Sequence, residues 1–171
     1  MAKLTTPPRR VESPVARRHH IDFTSRSGAV ETLYLDAEEG PWLPRQWDVA
    51  SETLLGAREV TRRAGADLLV VYVPRKLRVY SGFIRAEPGT FAHTWRTNNL
   101  PDVLGAWCDE NGIPFLDSTV PLRDAVASGR SVYLPDDVHW SPEGHEVVGA
   151  AVSERIRVLG SLRASHGGTG S

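Results

Sequence analysis

Residues 136–148, DDVHWSPEGHEVV, place two aspartates and a histidine directly ahead of a helix signal, with a second histidine in that helix's first turn. Three chemistries fit these residue types. A carboxylate beside an imidazole makes an acid/base pair: it accepts a hydrogen bond from one ring nitrogen, fixes the tautomer and stabilises the imidazolium that forms when the ring takes a proton. Asp136 or Asp137 with His139 and His145 also supply the ligand types of a metal site. The two histidines are six residues apart, however, not the one-turn pairing that puts two imidazoles on one helix face. The third reading is a solvated turn, because loops are rich in both residue types. Spacing alone leaves all three open.

The elements that would hold this cluster are more legible. Ser141 is placed as an N-cap, Pro142 as the first helical residue, and Glu143 in the first turn, where the helix dipole favours negative charge. His139 then sits on the loop just before the helix, and Asp136, three residues earlier, is expected to fold back onto its ring. Trp140 either lines a cleft or packs on the helix. The closing helix is expected over about 142–159, with Val148, Val152, Ile156 and Leu159 on one stripe.

Upstream, VETLYL (30–35) has the pattern of a strand. A helix of about fifteen residues should follow and end near RRAGAD, with Trp47, Ala50, Leu54, Ala57, Val60 and Ala64 on one buried face and Gly65 as its stop. DLLVVYVP is continuously apolar and valine-rich, as in a strand covered on both faces. A polar excursion leads to a helix at about 100–110, the short strand IPFLD, and a helix at about 119–128. This order describes an α/β fold with right-handed crossovers in a parallel sheet, three layers deep and flavodoxin-like. Two firm parallel strands are fewer than such a sheet needs, so an incomplete domain is expected over 29–160. Residues 1–28 are expected to be a disordered basic arm and 161–171 a flexible tail. The first twenty residues carry a local +4, leaving −5 for the rest of a chain whose net charge is −1.

That charge balance gives no general reason to expect nucleic-acid binding. The run LLVVYV is far short of a membrane span, and the basic start leads into no apolar signal segment. The expected chain is therefore soluble as written, with its cellular location unassigned. The single cysteine, Cys108, excludes an internal disulfide and a cysteine-rich zinc site, and suits a small buried hydrophobe. No cofactor and no metal are assigned.

The stretch YLPDDVHWSPEGHEVVGAAVSERI resembles the C-terminal signature of SGNH (GDSL-like) hydrolases, in which Asp-x-x-His precedes the last helix. The order LLVVYVPRKLRVY, NGIPFLDSTVPLRDAV, LPDDVHWSPEGH is similar to a branch of large, often membrane-anchored and extracytoplasmic SGNH proteins related to alginate- and other polysaccharide-acetylating enzymes. In that branch Pro-x-Lys-x-x-Val-Tyr follows a strand, as Pro74, Lys76, Val79 and Tyr80 do here. The resemblance covers roughly residues 30–160 and implies His139 as general base with Asp136 as its orienting carboxylate. Lys76, Tyr80, Asp137 and Trp140 are then candidates for the crevice or substrate side. Arg75 and Arg78, beyond the strand, either face an acidic substrate or form a solvated basic loop.

The family's nucleophile is a serine in a Gly-Asp-Ser motif, and an asparagine from a Gly-x-Asn-Asp block helps form the oxyanion hole. Neither motif occurs in this sequence, and Ser25, Ser27 and Ser81 are poor substitutes by position. Without a nucleophile and oxyanion donors the pair has little to act on. The leading expectation is thus the C-terminal half of an SGNH ester hydrolase or O-acetyl transferase, acting on an ester or acetylated carbohydrate, with the serine outside this chain. A complementing N-terminal half or a homo-oligomer would complete it. The rival is a non-catalytic remnant serving as a binding module.

Overall fold

The computed structural model describes residues 20–24, 28–35, 38–84 and 95–167. Its elements run β1 (His20–Thr24), β2 (Val30–Tyr34), α1 (Pro44–Arg63), β3 (Val70–Tyr72), α2 (Lys76–Tyr80), α3 (Leu100–Glu110), β4 (Phe115–Asp117), α4 (Thr119–Ala127) and α5 (Pro142–Gly167). β1 and β2 form an antiparallel pair, and β3 and β4 a parallel one. The chain is α/β, with two two-stranded sheets among the described residues.

The antiparallel pair changes the expected picture in two ways. VETLYL is a strand, but it pairs with β1, in register from His20↔Tyr34 to Thr24↔Val30, and does not join the parallel sheet. β1 lies inside the stretch expected to be a disordered arm. Its alternation explains why: Ile21 and Phe23 are buried while Asp22 and Thr24 are exposed, the period of a half-buried strand. Leu33 of β2 and Leu35, just past its end, supply the matching buried positions. The remainder of the arm, residues 1–19, lies outside the described residues.

The core also sits elsewhere than the apolar run suggests. Val70, Val71 and Tyr72 of β3 are only half-buried, because the described parallel sheet has two strands and its faces are thinly covered. The fully buried cluster instead joins Phe23 and Leu33 of the antiparallel pair, Val79 and Tyr80 of α2, Leu122, Ala125 and Val126 of α4, Val132 and Tyr133 of the following segment, and Val148 of α5. Phe23 meets Tyr80 edge-on at 5.2 Å, and Tyr80 meets Tyr133 at 6.2 Å, the offset geometry that aromatic quadrupoles favour. α1 forms as expected and stops before Gly65 at φ +69°, but no residue along it is fully buried and Val60 is exposed. α5 runs beyond its expected end and into the predicted tail, as far as Gly167. α2, in the stretch read only as a polar excursion, is too short for periodicity to reveal.

The last turn of α2 is fixed by charge. Arg123 of α4 donates from Nη1 to Arg78 O and Ser81 O, both at 2.9 Å, satisfying carbonyls that a helix C-terminus leaves open. Arg78 itself is not part of a solvated loop: its guanidinium forms a buried two-pronged pair with Glu39 and reaches Asn98 O. The side chains of Arg78 and Glu39 are 12% and 4% exposed. At that burial, removing one partner strands the other charge. Glu39→Ala should therefore cost about 3 kcal/mol in urea denaturation, and adding Arg78→Met should recover part of the loss.

Candidate functional site

His139 is carried on a short hairpin formed by residues 132–141. Tyr133 bridges Trp140 in antiparallel fashion, Leu134 N donates to His139 O at 3.0 Å, and Ser141 N donates to Val132 O at 3.1 Å. The tip turns at Asp137, whose N–H reaches Leu134 O at 3.3 Å. The far strand runs directly into α5. Ser141 is the N-cap the sequence implies: its Oγ accepts from Gly144 N at 3.1 Å and donates to Ser131 O at 2.6 Å. One hydroxyl thus ties the helix to the opposite strand of the hairpin. Gly144 allows this approach, since a Cβ there would lie 2.1 Å from Val132 O.

The carboxylate on the ring is that of Asp137, not Asp136. Asp137 Oδ1 lies 2.7 Å from His139 Nδ1 and also accepts from Val138 N at 2.5 Å and His139 N at 3.3 Å. The reason is local. An aspartate readily accepts from the backbone N–H two residues on, as in an Asx-turn, and this brings the same oxygen to the histidine side chain. The three-residue spacing of Asp136 gives no such geometry, and its carboxylate takes no part in the contact. An ionised carboxylate only accepts, so Nδ1 must carry the hydrogen, and the neutral ring presents its lone pair at Nε2. The contact with His139 holds the Asp137 carboxyl below the usual carboxylate range. The pair is open to water: the His139 side chain is 76% exposed and that of Asp137 49%.

The other candidates fall into place around the hairpin. Lys76 and Tyr80 do not line a crevice, because both are buried at 1% and 0% exposure. Both point their polar atoms at the near strand of the hairpin. Lys76 Nζ donates to Leu134 O at 2.6 Å and Pro135 O at 3.1 Å, and Tyr80 Oη accepts from Val132 N at 3.1 Å. Tyr133 Oη returns a bond to Pro74 O at 2.6 Å. The Pro-x-Lys-x-x-Val-Tyr stretch is therefore the brace of the loop. Trp140 packs against the main core and meets His145 edge-on at 5.5 Å. Among the described residues no group of three histidine, cysteine or acidic side chains comes together to hold a metal.

No described serine serves His139. Ser81 Oγ donates to Arg78 O and accepts from Arg123. Ser118, which follows β4 as a nucleophile would follow a strand, is fully buried and donates to Tyr72 O at 2.6 Å. Ser25 and Ser27 lie outside the described residues. Cys108 is buried, and burial pushes its thiol up, so it is no alternative nucleophile. Sequence reading did not anticipate the cavity of about 400 Å³ beside the end of β3, lined in part by Trp42, Gln46, Tyr72, Arg75 and Asn98. Its residues come from three separate stretches, which no local motif joins.

Comparison with known proteins shows the family and the fold. The family described as SGNH hydrolase-like domain, acetyltransferase AlgX, matches residues 43–168. The probable alginate O-acetylase AlgJ of Azotobacter vinelandii is 29% identical over 138 residues, covering 79% of this chain and 34% of that protein. The AlgJ of Pseudomonas aeruginosa is 34% identical over 100 residues, covering 58% and 24%. The chain thus spans about a third or less of the length of these curated relatives. The solved O-acetyltransferase domain of Pseudomonas putida AlgJ superposes with a TM-score of 0.52 at 24% identity, over 82% of this chain and 49% of that one. That likeness is one of fold.

Three outcomes test the site. Ser141→Ala should lower stability by about 1 kcal/mol or more in denaturant melts, since a cap and a cross-hairpin bond go together. Gly144→Ala should cost about 2 kcal/mol by forcing the helix off the hairpin. Because the Asp137 carboxyl is lowered in the folded state, its contact with His139 contributes above the ordinary carboxylate range and is lost as pH falls through the lowered value. A carbon-13 titration should find Asp137 below a free aspartate and restored upward in His139→Ala.

Proposed function

Since the chain belongs to the SGNH hydrolase-like, AlgX-type acetyltransferase domain family, we propose that it carries the acid/base half of an O-acyl transfer site, with His139 as general base and Asp137 as its orienting carboxylate. The observation that supports this most is the 2.7 Å contact between Asp137 Oδ1 and His139 Nδ1, which leaves Nε2 as the basic nitrogen. In the proposed reaction Nε2 takes the proton of a nucleophilic hydroxyl as its oxygen attacks an acetyl ester carbonyl. The imidazolium, stabilised by Asp137, gives that proton to the departing alkoxide. The acetyl group then passes from the nucleophile to a sugar hydroxyl, or to water.

Two parts of that machinery lie outside the described residues: the attacking serine and the oxyanion donors. Both are assigned here to further polypeptide, either a longer stretch of the same protein or a complementing chain. Strands from the same source would extend the parallel pair into a three-layer, flavodoxin-like sheet and cover an imidazole that is now open to water. The relatives' names point to an acetylated polysaccharide such as alginate as substrate. The family and the intact Asp137–His139 pair favour this reading over a non-catalytic remnant.

The test is acetyl-ester hydrolysis and transfer by the chain together with the polypeptide that supplies the serine. His139→Ala and Asp137→Asn should each lower kcat by at least about 1,000-fold, whereas Asp136→Asn should stay within a few-fold of the parent. Turnover that survives His139→Ala would sink the assignment.

A further inference from the structure

Lys76 is the most deeply buried charge in the described structure, and it donates to two consecutive carbonyls, Leu134 O and Pro135 O. Its placement calls for a physical reason, because burying an ammonium costs several kcal/mol before its contacts repay it. Neither carbonyl depends on Lys76 alone for a donor. Leu134 O already accepts from Asp137 N at 3.3 Å, and Pro135 O from Tyr34 N at 2.8 Å. What the cation adds is orientation. Two adjacent carbonyls aimed at one point repel as parallel dipoles, and a positive charge at that point makes the arrangement favourable. These two peptide groups are the last before Asp136 and Asp137, and Leu134 also closes the hairpin onto His139 O. Fixing them fixes where the tip begins and where the Asp137 carboxylate is delivered.

We propose that Lys76 is a positioning residue for the acid/base pair: its buried ammonium locks the Leu134–Pro135 peptide groups, and through them holds Asp137 against Nδ1 of His139. It touches neither ring nor carboxylate and acts through the loop. Calling the pair catalytic rests on the function proposed above; the positional claim does not.

Nitrogen-15 spectra of the His139 ring in the 171-residue chain separate this from a purely structural role. The parent should show predominantly the Nδ1–H tautomer, and Asp137→Asn gives the reference for a released ring. Lys76→Met, which keeps the stem and removes the donors, should lower the Nδ1–H share toward that reference. Lys76→Gln, a shorter neutral donor, should fall between Met and parent. A folded Met variant with the parent's tautomer and the parent's Asp137 titration would overturn the proposal. Should the Met variant fail to fold, the Gln variant decides: a reduced Nδ1–H share supports positioning and a parental one refutes it. In the catalytically complete protein the same Met substitution should lower kcat by roughly 100-fold with KM little changed. If tautomer control is seen but His139→Ala retains turnover, the catalytic reading falls and the positional one stands.

Discussion

A segment that is neither helix nor sheet must still bond its peptide groups when it is buried, and in residues 131–135 that demand joins the molecule together. Val132 N goes to Tyr80 Oη, Leu134 O and Pro135 O to Lys76, Pro135 O also to Tyr34 N, and Ser131 O to Ser141 Oγ. The partners come from α2, the end of β2 and the cap of α5. None of these elements shares a ladder with the segment, yet each is held to the others through it. The buried cluster of Phe23, Tyr80, Leu122, Val132 and Val148 fills the space these bonds enclose. The loop carrying His139 is thus anchored at its base, while its tip is left in water.

This division suits a proton-transfer group. The imidazole needs a carboxylate at fixed distance and a free second nitrogen. Asp137 meets the first need with an oxygen that also receives two backbone N–H groups. The same oxygen shapes the turn and orients the ring, so the local conformation and the chemistry are set by one interaction. The broad exposure of the ring is what the proposed reaction requires, since its nucleophile and substrate would approach from outside the described residues.

The start of α5 and the stop of α1 were legible in the sequence, because these signals are local chemistry: Ser141 and Pro142 open the one and Gly65 follows the other. α3 and α4 also fall close to their expected ranges. The errors lie where distance along the chain matters. β1 hides in a basic stretch because only two residues, Ile21 and Phe23, carry its buried face. α2 is five residues long, too short to leave a helical period, and the work of Lys76 and Tyr80 depends on partners more than fifty residues away. The choice between Asp136 and Asp137 turned on one residue of spacing, which an Asx-type turn decides and a pattern of residue types does not. The expected imidazole stands on the loop before α5, and the carboxylate in contact with it is that of Asp137 where Asp136 was expected.

Gly144 bears on how this loop can change over time or be transplanted. With Val132 O standing where its Cβ would be, and Ser141 bridging to Ser131 O, the stretch from 131 to 144 behaves as a single cassette. Insertions are absorbed only at the exposed tip around 136–138, whereas slipping either flank by one residue would drive a side chain into the opposing backbone. Recombination between homologous genes would therefore keep these fourteen positions together as a block, even where the rest of the fold drifts.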